Sequence, residues 1–141
     1  MPERGDEEQA RAEILVDTDV LIEYFRGSPA ARRLIDEIKS GDRKAYFSTI
    51  TETELYSGSR NEREDARIAA LLSFLTRVDV DGNIAVVSGK LRYKYRAYKL
   101  KTPDAIIAGT AQILNVKLAT FNKQHFEMIT EIDLFDIERQ G

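Results

Sequence analysis

The stretch Ile14-Leu15-Val16-Asp17-Thr18-Asp19-Val20-Leu21-Ile22 decides how this chain folds. Three consecutive apolar residues, two of them β-branched, predict a short strand buried on both faces. The run stops at Asp17, and Val20, Leu21, Tyr24 and Phe25 then recur at helical spacing. A carboxylate at the end of a buried strand lies where open α/β sheets place their active sites. Asp17 is therefore the first candidate for chemistry. As an N-cap, Asp17 or Thr18 would serve the helix alone. The choice depends on whether other carboxylates come to meet Asp17.

Outward from that stretch, the 141 residues suit one domain with a sizeable core. Residues 1–12 are charged and nearly devoid of apolar side chains, which predicts a flexible N-terminal lead-in to a domain over 13–138. With no cysteine, neither a disulfide framework nor a thiolate metal site can form. The single histidine, His125, excludes a multi-histidine zinc centre. The apolar runs are too short for a membrane span, and no signal-peptide pattern opens the chain. A cytoplasmic protein with no membrane partner is the expectation. A net charge of −3 argues against generic affinity for nucleic acid, although a local basic patch survives such an average.

Pro29 to Ser40 predicts a helix with Ser28 as its cap and Gly41 as its end. Ala45 to Ser48 predicts a second strand, running into a short helix that closes at Gly58. Thr49 and Glu52 have capping-box spacing, which gives Glu52 a structural task and leaves Glu54 free for another. Asn61 to Arg77 predicts an amphipathic helix, Val78 to Asp81 a strand, and Gly82-Asn83 a turn.

The next helix is expected from Ile84 to about Lys99, with Lys90, Lys94 and Lys101 along one edge and Arg92, Arg96 and Lys99 along the other. From Lys90 to Lys101 there are six basic residues, three tyrosines and no acid. Such a patch attracts phosphates, and exposed tyrosines stack on unpaired bases. Lys90, Lys94, Arg96, Lys99 and Lys101 are accordingly candidate nucleic-acid-binding residues, for RNA if the resemblance described below holds; a merely solvated helix is the plainer reading. Thr102 and Pro103 predict the start of a further helix, whose dipole favours an ionised Asp104 in the first turn. Val116 to Thr120 predicts a strand with Asn122 and His125 beyond its end, and Ile132 to Ile137 an edge strand.

The order β-α-α-β-α-α-β-α-α-β-β predicts a three-layer α/β/α domain whose central sheet, of four to five strands, is mainly parallel. Asp17, Glu54 and Asp104 each follow a strand or open a helix, so they can converge at the carboxyl end of the sheet. Clustered carboxylates remain charged only with a cation among them. Oxygen donors without thiolates select Mg²⁺, with Mn²⁺ as a substitute.

These stretches resemble the PIN-domain family, and within it the VapC-like ribonuclease toxins. The resemblance spans Ile14 to Ile137. It rests on Val16-Asp17-Thr18-Asp19-Val20-Leu21-Ile22, on Ser48 to Gly58, on Pro103-Asp104-Ala105-Ile106-Ile107-Ala108, and on Leu118 to Phe126. It implies that Asp17, Glu54 and Asp104 are the metal-binding carboxylates, and it favours Glu54 over Glu52. Asn122 falls where many members carry a fourth acid, so one firm Mg²⁺ is the implied complement, with Asn122 orienting water or metal and Asp19 acting through water. The implied reaction is hydrolysis of an RNA phosphodiester by metal-activated water. The implied partners are an RNA substrate, a cognate antitoxin protein and a second copy in a homodimer.

Two rival readings share some of the same residues. Asp17-Thr18-Asp19-Val20-Leu21 also fits the first motif of haloacid-dehalogenase-type phosphatases, with Asp17 as nucleophile and Asp19 as acid/base. That class, however, leaves Glu54 unexplained. The other rival is a non-catalytic RNA-binding or regulatory module of the same fold.

Overall fold

The computed structural model describes residues 12–137, so nearly all of the expected lead-in, and residue 138, lie outside the described residues. Five strands form one sheet in the order β3-β2-β1-β4-β5, and every neighbouring pair is parallel. They are β1 (Ile14–Val16), β2 (Ala45–Ser48), β3 (Thr76–Val78), β4 (Lys117–Ala119) and β5 (Leu134–Phe135). Six helices connect them: α1 (Thr18–Phe25), α2 (Pro29–Lys39), α3 (Thr49–Ser57), α4 (Glu62–Leu72), α5 (Gly82–Lys94) and α6 (Thr102–Leu114).

The apolar triplet that opens the fold is fully buried at the centre of the sheet. Successive strand side chains point to opposite faces. Ile14 and Val16 join one core with Val20, Leu21, Leu34, Ile35 and Leu71, contributed by α1, α2 and α4. Leu15 joins the other, with Leu91, Ile107, Ala108 and Leu118, contributed largely by α5 and α6. One triplet thus holds three layers together, and truncating Leu15 to alanine would cost about 2–5 kcal/mol.

On the second face, α5 and α6 approach each other at Gly109. A Cβ there would fall 2.2 Å from the Ser88 hydroxyl oxygen and 3.1 Å from its Cα. The missing side chain lets α5 pack close to α6, which carries Asp104.

Several local expectations are corrected. Helix α4 ends at Leu72 with Ser73 as its C-cap, so Arg77 belongs to β3, which pairs Tyr46 with Thr76 and Ser48 with Val78. Asp81 is not in a strand but caps α5, accepting from the Ile84 N–H at 2.9 Å, and Gly82-Asn83 begin that helix. The capping box of Thr49 and Glu52 does not form. Ser48 caps α3, Thr49 accepts from the Val80 N–H, and Glu52 pairs with Arg77. Helix α5 stops at Lys94, and a 3₁₀ turn over Arg96–Tyr98 ends at Lys99 in the left-handed region, φ 58°. Lys101, not Thr102, precedes α6 as its cap residue, and no side chain caps that helix.

Candidate active site

The strand order reverses beside β1: the chain runs outward through β2 and β3, then returns to place β4 on the opposite side. Chain ends diverge at such a point and leave a crevice beyond the carboxyl ends of the strands. Asp17 and Asp19 follow β1 there, and Thr120, Phe121 and Asn122 follow β4.

Asp17 has extended backbone angles, which turn the chain from strand to helix, and it is the N-cap of α1. Its Oδ1 accepts from the Thr18 N–H at 2.8 Å, and its Oδ2 accepts from the Thr120 hydroxyl at 2.9 Å. Asp17 therefore both caps the helix and faces the crevice, with its side chain held from two strand ends. Only 6% of the residue is exposed. Burial, Asp19 and Asp104 push its carboxyl up to about 7, against the hydrogen bonds from Thr120 and Thr18. Asp19 is half-buried and accepts from the Phe121 N–H at 3.1 Å; burial raises its pKa too.

Glu54 reaches the same region from α3. Its Oε1 accepts from the Thr18 hydroxyl at 2.7 Å, and Thr51 Oγ1 lies 3.0 Å from that hydroxyl. Asp104 enters from the first turn of α6. Burial outweighs the His125 contact and, with Glu54, raises the Asp104 carboxyl from its ordinary value. His125 lies in the 3₁₀ turn after β4 and places Nδ1 3.4 Å from Asp104 Oδ2. Asn122 donates its backbone N–H to the Thr120 hydroxyl and, with Asp19 and Arg26, lines a separate cavity of about 490 Å³.

The fold thus brings Asp17, Asp19, Glu54 and Asp104 within electrostatic reach, with Asn122 at the margin. Among the described residues, no three acidic or imidazole groups converge tightly enough to cage an ion by themselves. Carboxylate oxygens without a thiolate or a second imidazole are the donor chemistry of hard divalent cations, which is the first point of fit. The raised carboxyls are the second point of fit: their repulsion and desolvation are relieved by a divalent cation. Thr18 and Thr120 were missed in the sequence. Each directly follows a strand end or its aspartate, inside motifs already singled out, but their hydroxyl partners lie far away along the chain.

The five basic candidates separate in space. Lys94 pairs with Glu131 at 2.8 Å. Arg96, Lys99 and Lys101 instead line a groove of about 600 Å³ together with Arg92 and Tyr93. Lys90 is exposed and lines neither that groove nor the space beside Asp104.

The PIN-domain family model matches residues 14–131. Ribonuclease VapC19 of Mycobacterium tuberculosis is 32% identical over 120 residues, covering 84% of this chain and 95% of its own. A toxin–antitoxin complex from Klebsiella pneumoniae contains a chain 32% identical to this one, with TM-score 0.72, over 85% of this chain and 95% of that one. DNA-bound VapBC from Salmonella typhimurium gives 26% identity and TM-score 0.77, over 89% and 98%. Matched in sequence over most of its length and in its fold, the chain belongs to the PIN-domain family and is VapC-like.

Proposed function

We propose that this protein is a metal-dependent endoribonuclease, the toxin of a VapBC-type pair, which hydrolyses RNA phosphodiesters to 5′-phosphate and 3′-hydroxyl ends. The observation that carries this reading is the set of buried and half-buried carboxylates, Asp17, Asp19 and Asp104, gathered at the switch point of a PIN-family sheet and raised in pKa chiefly by burial. The VapC relatives are ribonucleases by name. The Klebsiella neighbour is a toxin–antitoxin complex, which supports a cognate antitoxin as partner. A homodimer working in the cytoplasm completes the proposal; among the described residues no helix is long and apolar enough to cross a membrane.

Asp17, Glu54 and Asp104 would hold Mg²⁺ or Mn²⁺, with water completing the shell. A bound divalent ion supplies a water acidified toward neutral pH and a positive charge for the phosphate oxygens. The chain's own contribution is placement. Thr18 ties Glu54 to the start of α1, and Thr120 ties Asp17 to the end of β4. Asp19, held by the Phe121 N–H, faces the same space and orients water through its free lone pairs. His125 braces Asp104.

The phosphatase reading is not favoured. It leaves Glu54, which reaches the same crevice, without a role, and the relatives matched over most of the chain are ribonucleases by name. The non-catalytic reading leaves the strained charge cluster without a purpose. The test compares wild type with Asp104→Asn on a mixed RNA pool in Mg²⁺, Mn²⁺ or EDTA, with a small phosphomonoester assayed in parallel. Metal-dependent RNA cleavage that disappears in the variant is expected. Turnover of the phosphomonoester without RNA cleavage would overturn the proposal.

A further inference from the structure

The basic segment that looked like one long helix in the sequence is broken in the structure, and the break gives it a shape. After α5 ends at Lys94, the chain folds through the 3₁₀ turn and reverses at Lys99, a non-glycine residue with φ 58°. Side chains rarely adopt that conformation without a compensating reason. Here it sets Lys99 between two adjoining spaces. One is the groove of about 600 Å³ lined by Arg92, Tyr93, Arg96, Lys99 and Lys101. The other, about 220 Å³, is lined by Lys99, Lys101, Asp104 and His125 among others. Lys99, Leu100 and Lys101 belong to both, so a cationic path runs from the end of α5 to Asp104.

These cations stand out of ion-pair distance of any acid among the described residues, with Lys101 near enough to Asp104 to act on its carboxyl. Among the described residues Arg92, Arg96, Lys99 and Lys101 make no ion pair, while Lys94, which leaves the groove, makes one with Glu131. Six of the 21 bases fall in these twelve residues without an acid, leaving 15 bases against 24 acids elsewhere. The groove also presents an aromatic surface. Tyr93 is 68% exposed. Arg96 lies over its ring at 4.1 Å and is fixed by a 2.8 Å hydrogen bond from Nη1 to the Tyr93 carbonyl. A planar ring, one face covered by a guanidinium and the rest open, beside a row of cations, matches the surfaces that grip single strands: bases stack while phosphates follow the charge. Double-stranded RNA is instead recognised across its wide minor groove, without stacking.

We infer that the groove of Arg92, Tyr93, Arg96, Lys99 and Lys101 is the substrate track of this enzyme, binding unpaired RNA on one side of the scissile phosphate, with Tyr93 as a base-stacking subsite. This deepens the nuclease reading and rests on it. It also replaces the five-residue basic patch by a set from which Lys90 and Lys94 are absent and to which Arg92 and Tyr93 are added.

The experiment measures binding of a labelled ten-nucleotide oligouridine, and of an RNA duplex of equal length, by fluorescence anisotropy in EDTA across a salt series. Cleavage of the pool RNA is followed in Mg²⁺. Tyr93→Ala should weaken single-strand binding about 5–100-fold with an unchanged salt slope, whereas Tyr93→Phe, which keeps the ring, should bind as wild type. Arg92→Gln and Lys99→Gln should each flatten the slope of log affinity against log salt by about 0.7. Lys44→Gln, the same charge change before β2 at the opposite end of the sheet, should alter neither quantity. Duplex binding should not respond to Tyr93→Ala, and in cleavage the loss should fall on KM more than on kcat.

Wild-type binding and KM in Tyr93→Ala and Arg92→Gln would overturn the track. So would groove variants that lose self-association or a protein partner while RNA binding persists. Since all these side chains are exposed, a preserved melting curve guards against misfolding. Absence of metal-dependent RNA cleavage by the wild type is a different failure, and it removes the nuclease reading itself.

Discussion

The crevice and the groove beside it treat charge differently from the rest of the surface. Elsewhere acids and bases pair: Glu52 with Arg77, Glu64 with Arg60, Glu23 with Arg26, Glu131 with Lys94. In the crevice, among the described residues, no Lys or Arg lies within ion-pair distance of Asp17, Asp19 or Asp104: Asp17 and Asp19 accept from hydroxyl and backbone N–H groups, and Asp104 contacts His125 while Lys101 acts on it from farther off. In the groove, Arg92, Lys99 and Lys101 stand beside one another without an acid among the described residues. Pairing these two sets with each other would neutralise both, and the fold keeps them side by side instead. On the function proposed above, the difference teaches that unneutralised charge marks where ligands complete the molecule: a cation among the acids, phosphates along the bases.

Removing one charge from the crevice gives the largest break in that symmetry. Asp17→Asn keeps the shape and the helix cap, and should lower metal-dependent cleavage by roughly a thousandfold. The same variant should stabilise the metal-free protein at alkaline pH. The Asp17 carboxyl is raised in the fold from an ordinary 3.8 to about 7, so the native state binds more protons than the unfolded chain between those values. Its favourable contribution is complete below about pH 4 and is lost as pH rises toward 7. Denaturation in EDTA should therefore show wild type losing on the order of 2–4 kcal/mol between pH 4 and pH 8 from this group, and Asp17→Asn losing much less. Equal pH profiles for the two proteins would contradict a buried, uncompensated Asp17.

Glu52 and Glu54 make the next comparison, because they lie two residues apart on α3 and belong to opposite classes. Glu52 is committed to Arg77, with Oε2 2.9 Å from Nη2. Glu54 faces Thr18 and raises Asp104. Glu54→Gln should reduce cleavage about a hundredfold, while Glu52→Gln should leave kcat and KM unchanged. A loss in Glu52→Gln matching that in Glu54→Gln would show that α3 contributes through its stability alone.

That pair also shows what a sequence can carry. That Asp17 and Asp104 lie at one end of the sheet was legible, because one follows a buried strand and the other opens a helix. Glu54 was singled out through a capping box that does not form and through the family resemblance, and it reaches Thr18 from the second half of α3. The boundaries between Leu72 and Asp81 were not legible. Val78-Asp79-Val80-Asp81 alternates like a strand, but alternation is silent about register, and pairing with β2 moves the strand back to Thr76–Val78. Asp81 is then free to cap α5. The bend at Tyr95–Lys99 was hidden for another reason. No glycine or proline announces it, and Lys99 takes the left-handed conformation usually left to glycine. A helical wheel continued through that bend puts Lys94 and Lys101 on one edge, when the fold sends them to different neighbours.

Thr120 tests whether the hydroxyls that sequence reasoning missed matter to the acids they hold. Its hydroxyl donates to Asp17, lies 3.5 Å from Asp19, and accepts from the Asn122 N–H. Thr120→Val preserves shape and removes all three contacts. Leaving these buried partners unsatisfied should cost about 1–3 kcal/mol in stability, and loosening a metal-holding carboxylate should reduce cleavage about 10–100-fold. Thr120→Ser, which keeps the hydroxyl, should recover most of the activity. If valine and serine lose activity alike, the methyl packing is what matters and the hydroxyl is incidental.

The smallest effect is expected at the crevice margin, where Asn122 shares a cavity with Asp19. Asn122→Asp adds a negative charge beside carboxylates that already repel one another. Without metal, the added charge should lower the melting temperature at pH 8 more than at pH 5, because protonation removes the repulsion. With metal the sign reverses: affinity for divalent cations rises with ligand charge, so Mg²⁺ should raise the melting temperature of the variant more than that of wild type. Titrating Mg²⁺ against melting temperature at both pH values separates the two effects. A variant destabilised at pH 8 but gaining nothing from Mg²⁺ would show that position 122 feels the charge of the crevice while standing too far from its cation to serve it.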